Sequence, residues 1–123
     1  DARVLASWEA TGNATDGSGY TTPTSLAIQA VTSSGSRCVL QGAQAFGSIN
    51  YRLSNIAVAR NVLTANLADE TGNTGWLRCT LAGSDYRNCR LHLPGNVWTQ
   101  SLGPGLRAGW ISNWYAHCQR RRR

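Results

Sequence analysis

The chain has 123 residues, 41% of them apolar and 15% charged, which is enough for one compact domain with a buried core and excludes a disordered chain. Its twelve basic residues are all arginine against six acidic ones, a formal net charge of +6. Every carboxylate lies at or before Asp85, whereas Arg87, Arg90, Arg107 and Arg120 to Arg123 follow it, so the C-terminal third is wholly basic. Arg37, Arg52, Arg60, Arg78 and Arg90 interrupt every apolar region, so no run approaches the roughly 20 apolar residues of a membrane helix and the chain reads as soluble.

The chain opens at Asp1 without methionine or an apolar leader, as signal-peptide removal would leave it. The segment 11–24 is rich in Gly, Asn, Ser and Thr with one Pro and predicts a long surface loop carrying the glycosylation sequon at Asn13. From Ser25 onward short apolar runs recur about every ten residues: Leu26 to Ile28, Cys38 to Leu40, Tyr51 to Leu53, Val62 to Thr64, Trp76 to Cys79, Cys89 to Leu91 and Trp110 to Tyr115. In Cys89-Arg90-Leu91-His92-Leu93 the alternation puts Cys and Leu on one face and Arg90 and His92 on the other. Thr71-Gly72-Asn73, Ala82-Gly83-Ser84, Pro94-Gly95-Asn96 and Gly103-Pro104-Gly105 punctuate the runs as turns and loops. The segment 54–69 also fits an amphipathic helix, but its Ile56, Val58, Val62 and Thr64 favour strands. The expected fold is therefore all-β: a small antiparallel, β-sandwich-like domain. The four cysteines, Cys38, Cys79, Cys89 and Cys118, contain no CxxC pair, which points to two disulfides in an oxidising compartment and away from a metal site.

The tail Arg120-Arg121-Arg122-Arg123 reads either as a solvated basic end that attracts polyanions or as a proprotein-convertase processing site. Trp98, Trp110 and Trp114 crowd into the basic third near Tyr115, the composition of a protein interface or of tryptophans packed over disulfides. Arg87, Arg90 and Arg107 are too sparse to track a nucleic-acid strand, so nucleic acid is not an expected partner. Enzyme readings are weak. Glu9 and Asp16 lie only seven residues apart on a flexible stretch, which suits a solubilising terminus better than a glycosidase carboxylate pair. His92 and His117 have no lysine beside them to support ribonuclease-type acid–base chemistry. Nothing in the sequence calls for a cofactor or a metal ion.

The stretch Gly75-Trp76-Leu77-Arg78-Cys79-Thr80-Leu81-Ala82-Gly83-Ser84-Asp85-Tyr86-Arg87-Asn88-Cys89 resembles the pr segment of the flavivirus precursor-membrane protein. Trp110-Ile111-Ser112-Asn113-Trp114-Tyr115-Ala116-His117-Cys118 and the arginine run after it resemble that family's last aromatic strand, last cysteine and convertase site. The family uses six cysteines where this chain has four, and the loop from Leu102 to Gly109 lacks the family's acidic contact residue. The resemblance implies a β domain over 51–119, preceded by a loop-rich extension over 1–50 and followed by a processing tail over 120–123. It further implies a viral chaperone, not an enzyme, that caps the fusion loop of an envelope glycoprotein in the secretory lumen and on the immature virion until a host convertase cuts the tail. Any membrane attachment would come through a downstream part of the precursor. Trp98, Trp110, Trp114, Tyr115 and Asp85 would meet the partner, and His92 and His117 would sense pH. The disulfide pairs implied are Cys89–Cys118 and Cys38–Cys79. The rival expectation is a secreted disulfide-bonded binding or toxin module that targets anionic surfaces.

Overall fold

Residues that alternate between apolar and polar form strands that bury one face, and here eight such strands run in sequence. The computed structural model describes residues 3–33 and 38–121. The strands are β1 (Arg3–Thr15), β2 (Thr21–Thr32), β3 (Cys38–Phe46), β4 (Ile49–Ala59), β5 (Val62–Ala68), β6 (Thr74–Ala82), β7 (Asp85–Leu93) and β8 (Asn96–Leu102), followed by one helix, α1 (Ala108–Arg121). Each strand pairs antiparallel with the next, and β8 returns to β1, so the sheet closes as an up-and-down barrel. The closing ladder is short, running from Gly12 opposite Leu102 to Thr15 opposite Thr99. A side chain on Gly12 would run into the carbonyl oxygen of Ser101, so only glycine permits this approach.

Leu26, Ile28, Leu63, Leu67, Leu77 and Leu91 fill the interior and are fully buried. The outward positions of β6 to β8 are Trp76, Arg78, Asn88, Arg90, Val97, Thr99 and Ser101. A polar wall around an apolar interior is the reverse of a lipid-facing barrel, and no helix among the described residues is long and apolar enough to cross a membrane. Inside the barrel the fully buried Gln44 of β3 and Gln100 of β8 hydrogen-bond to each other.

The all-β antiparallel fold with two disulfides matches the sequence expectation, with the strands closed as one barrel where two facing sheets were expected. The segment 54–69 is strand, turn and strand. Three other expectations are corrected. The segment 11–24 is the end of β1, the tight turn 16–20 and the start of β2, because its threonines and alanines alternate as well as larger residues do: Ala14, Thr22 and Thr24 point inward and are buried. The run Trp110 to Tyr115 belongs to α1, whose buried residues Ala108, Ile111 and Cys118 recur at helical spacing. The expected boundary at residue 50 falls inside β4, and β1 to β3 are part of the same closed wall.

The disulfides are Cys38–Cys118 and Cys79–Cys89, which corrects both implied pairs. Cys79 and Cys89 stand directly opposite each other in the β6–β7 ladder, with Cα atoms 4.0 Å apart. Cys38 opens β3 beside the end of α1, where Cys118 lies with its Cα 5.0 Å away. The helix is thereby bolted to the barrel end it covers.

Candidate functional site

On β6, Trp76 and Arg78 flank the buried Leu77 and therefore share the outer face. The register places His92 opposite Trp76 and Arg90 opposite Arg78, and Thr99 of β8 lies opposite Arg90. The indole of Trp76 and the imidazole of His92 stack with centroids 3.6 Å apart and planes 10° from parallel. Trp76 stays 44% exposed, so the stack is a surface feature. Like charges directly opposite on neighbouring strands destabilise a sheet, yet among the described residues no carboxylate pairs with Arg78 or Arg90. Together with Asn88 these side chains line a recess of about 190 Å³ on the barrel wall. It offers two guanidinium groups, an aromatic platform and short polar donors, which is the chemistry that binds a sulfate or phosphate group on a larger ligand.

Sequence reasoning saw Arg90 and His92 on one face but missed Trp76 and Arg78 as their partners. The signal was present: Trp76-Leu77-Arg78-Cys79 and Cys89-Arg90-Leu91-His92 are mirror images about the β6–β7 turn. Reading it required the Cys79–Cys89 pairing, which the implied connectivity ruled out.

The residues expected to meet a partner are dispersed. Trp98 is buried at the barrel end formed by the β1–β2 and β7–β8 turns, with its ring edge-on to Tyr20 and Phe46. Trp110, Trp114 and Tyr115 lie at the opposite end on α1, where Trp110 is 62% exposed beneath the Arg107 guanidinium at 5.8 Å. Tyr115 is half-buried against the barrel, and Asp85 begins β7, its backbone bridged to Arg107. His117 packs edge-on against Trp114, so the two histidines contact different tryptophans on different elements.

Glu9 is exposed on β1, whereas Asp16 sits in the turn beyond that strand, where Ser18 and Tyr20 donate hydrogen bonds to it. Seven residues of extended chain separate the two carboxylates by about 23 Å, too far to flank one glycosidic bond. Asn13 is exposed on the outer face of β1, opposite Ser101. Arg87 is occupied locally, its Nε donating to the Leu102 carbonyl at 2.8 Å. Arg120 is exposed in the last turn of α1, while the side chain of Arg121 and all of Arg122 and Arg123 lie outside the described residues. Among the described residues no cluster of His, Cys, Asp and Glu has the makings of a metal site.

The molecule is thus an eight-stranded up-and-down barrel, capped at one end by a disulfide-anchored helix and bearing an arginine-aromatic recess on its wall. Compared with protein-family models, curated proteins and solved structures, the chain matches none. The two disulfides are consistent with an extracellular or otherwise oxidising setting.

Proposed function

We propose that this protein is a secreted, non-enzymatic binding module that recognises sulfated glycans through the wall recess. The observation that carries this reading is the cross-strand opposition of Arg78 and Arg90 beside the Trp76–His92 stack, with no carboxylate among the described residues to neutralise them. A sulfate between the two guanidiniums relieves their repulsion and accepts charge-assisted hydrogen bonds. A sugar ring packs on the exposed indole, while Thr99 and Asn88 supply donors for hydroxyl and ester oxygens. The basic tail adds attraction by counterion release without fixing the site.

The test is titration with size-defined heparin fragments at two salt concentrations. The double substitution Arg78→Gln/Arg90→Gln should weaken binding at least tenfold, about 1.4 kcal/mol or more. Arg52→Gln/Arg60→Gln removes the same charge elsewhere and should change affinity less than about threefold. Equal losses in the two doubles would reduce the interaction to net charge and refute the site.

The envelope-cap reading draws on a different observation, the exposed Trp110 with Trp114 one turn further on. Asp85 lies at the same end, its backbone bridged to the Arg107 whose guanidinium covers Trp110, whereas Trp98 is buried at the far end and adds nothing to that surface. Saturable binding to a flavivirus envelope ectodomain, lost in Trp110→Ala, would favour it over glycan recognition.

A further inference from the structure

The barrel end away from α1 has the opposite chemistry to the wall. Its four connections are the turn 16–20, the pair 47–48, the turn 69–73 and the pair 94–95. They carry Asp16, Asp69 and Glu70 and no arginine; the nearest arginine on β4, Arg52, alternates with the buried Tyr51 and Leu53 and faces outward. Between these connections lies a recess of about 470 Å³, within the range of about 300–1,000 Å³ typical of small-molecule sites.

Phe46, Tyr51, Trp98, Leu93, Asn73 and Asn96 line it. Phe46 and Trp98 meet at 4.8 Å with planes 78° apart, so they form a corner of two aromatic walls rather than a closed stack, and the buried Tyr51 adds a third aromatic side. The two asparagines connect the lining to the acidic rim. Asn96 donates to Asp16 Oδ2 at 3.3 Å, and Asn73 donates to Asp69 Oδ2 at 2.9 Å. Burial and, after it, the negative charge of Asp69 raise the Tyr51 hydroxyl pKa, so the rim's field reaches a lining residue.

We propose that this mouth binds a small organic cation of the quaternary-ammonium class. Aromatic faces attract cations through their quadrupoles, and methylated ammonium groups are the ligands suited to such cages. The rim carboxylates favour positive charge at the mouth, and the two joined to the lining, Asp16 and Asp69, already accept hydrogen bonds from Ser18, Tyr20, Thr71 and the two asparagines, while Glu70 is exposed on the outer turn. A primary ammonium would trade its full water shell for the few acceptors of a mainly aromatic and aliphatic lining. A trimethylammonium group has no N–H donors, and its methyls bury against Phe46, Trp98 and Leu93. Anions are disfavoured by the rim, so the site is separate from the wall recess and does not depend on the reading given to it.

The experiment titrates the full chain with choline and with its neutral carbon analogue, in which a tert-butyl group replaces trimethylammonium, following the indole Nε–H resonances. Choline should saturate and shift the Trp98 signal, and the neutral analogue should bind at least about tenfold more weakly. Phe46→Leu should weaken choline binding at least about fivefold, although the comparison of the two ligands on the unaltered protein decides the matter without it. Equal binding of both ligands, a shift confined to Trp76, or no saturable response to choline would each overturn the proposal.

Discussion

Gln44 and Gln100 exchange amide hydrogen bonds across the barrel interior, Nε2 to Oε1 in both directions, at 2.8 and 3.0 Å. They lie 56 residues apart and are fully buried, and Gln44 Nε2 also donates to the Ala45 carbonyl at 2.9 Å. Each amide satisfies the other, so the cost of burying either depends on both being present. Gln44→Leu alone should destabilise the fold by roughly 2–3 kcal/mol because it strands the Gln100 amide. Gln44→Leu/Gln100→Leu should cost less than the sum of the two single changes. Urea unfolding of the four proteins in a double-mutant cycle measures the coupling, and strict additivity would remove the pair as a unit.

The two disulfides should contribute unequally. Cys38–Cys118 spans 80 residues of sequence and Cys79–Cys89 spans 10. In the chain-entropy account these loops correspond to about 4.5 and about 2.8 kcal/mol. Denaturant midpoints of Cys38→Ser/Cys118→Ser and Cys79→Ser/Cys89→Ser should rank in that order. Non-reducing peptide mapping that recovered Cys38–Cys79 or Cys89–Cys118 would contradict the connectivity itself.

Asp16 and Asp69 should make the protein acid-sensitive. Hydrogen bonds hold both carboxyls below the usual aspartate pKa, chiefly the one from the Ser18 side chain for Asp16 and the one from the Asn73 side chain for Asp69. A lowered folded-state pKa means that stability is fully present above the unfolded-state value, about 3.9, and is lost as pH falls through the folded value. Asp69→Asn should lower the melting temperature at neutral pH and narrow the gap between neutral pH and about pH 3. An unchanged gap in both this variant and Asp16→Asn would show that other groups govern acid unfolding.

Arg60 occupies the two-residue β4–β5 turn at φ 50°, a left-handed conformation that costs a side-chain-bearing residue about 1 kcal/mol. The Arg60 carbonyl accepts a hydrogen bond from the Tyr86 hydroxyl at 3.3 Å, and glycine would keep that acceptor. Arg60→Gly should therefore leave stability unchanged or raise it by up to about 1 kcal/mol, read as the urea midpoint, whereas Arg60→Val should lower it.

Strand existence was legible wherever large apolar residues alternated with polar ones, as in Cys89 to Leu93. It was hidden where small or polar residues took the inward positions. In β1 and β2 the buried face near the mouth is Ala14, Thr22 and Thr24, which reads as loop composition although threonine suits a strand. The helical look of 54–69 has a structural cause. The bulge at Asn55, φ 51°, separates the inward Leu53 and Ile56 by three residues, the spacing of a helix face. In α1 the same period is genuine, but Trp110, Ile111, Trp114 and Tyr115 are residue types that also suit a strand. The wall recess escaped because its side chains come from three strands, and the register that sets Trp76 and Arg78 opposite His92 and Arg90 stays hidden until Cys79 and Cys89 are paired. The mouth was less visible still, since Phe46 and Tyr51 share the β3–β4 hairpin but Trp98 of β8 reaches them only when the barrel closes.

The β1–β8 ladder joins only four residue pairs, against the long β1–β2 ladder running from Arg3–Thr32 to Thr15–Thr21. Both covalent cross-links lie elsewhere, one within the β6–β7 hairpin and one between β3 and α1. Oxidation therefore leaves the clasp without a covalent brace. Local opening should therefore start along that line, and the amides of Gly12 to Thr15 and Thr99 to Leu102 should exchange with solvent ahead of those flanking Cys79 and Cys89. The staves on either side of the clasp, Thr15 and Thr99, lie at the mouth end, so the first opening of the cylinder would also be the widening of its entrance.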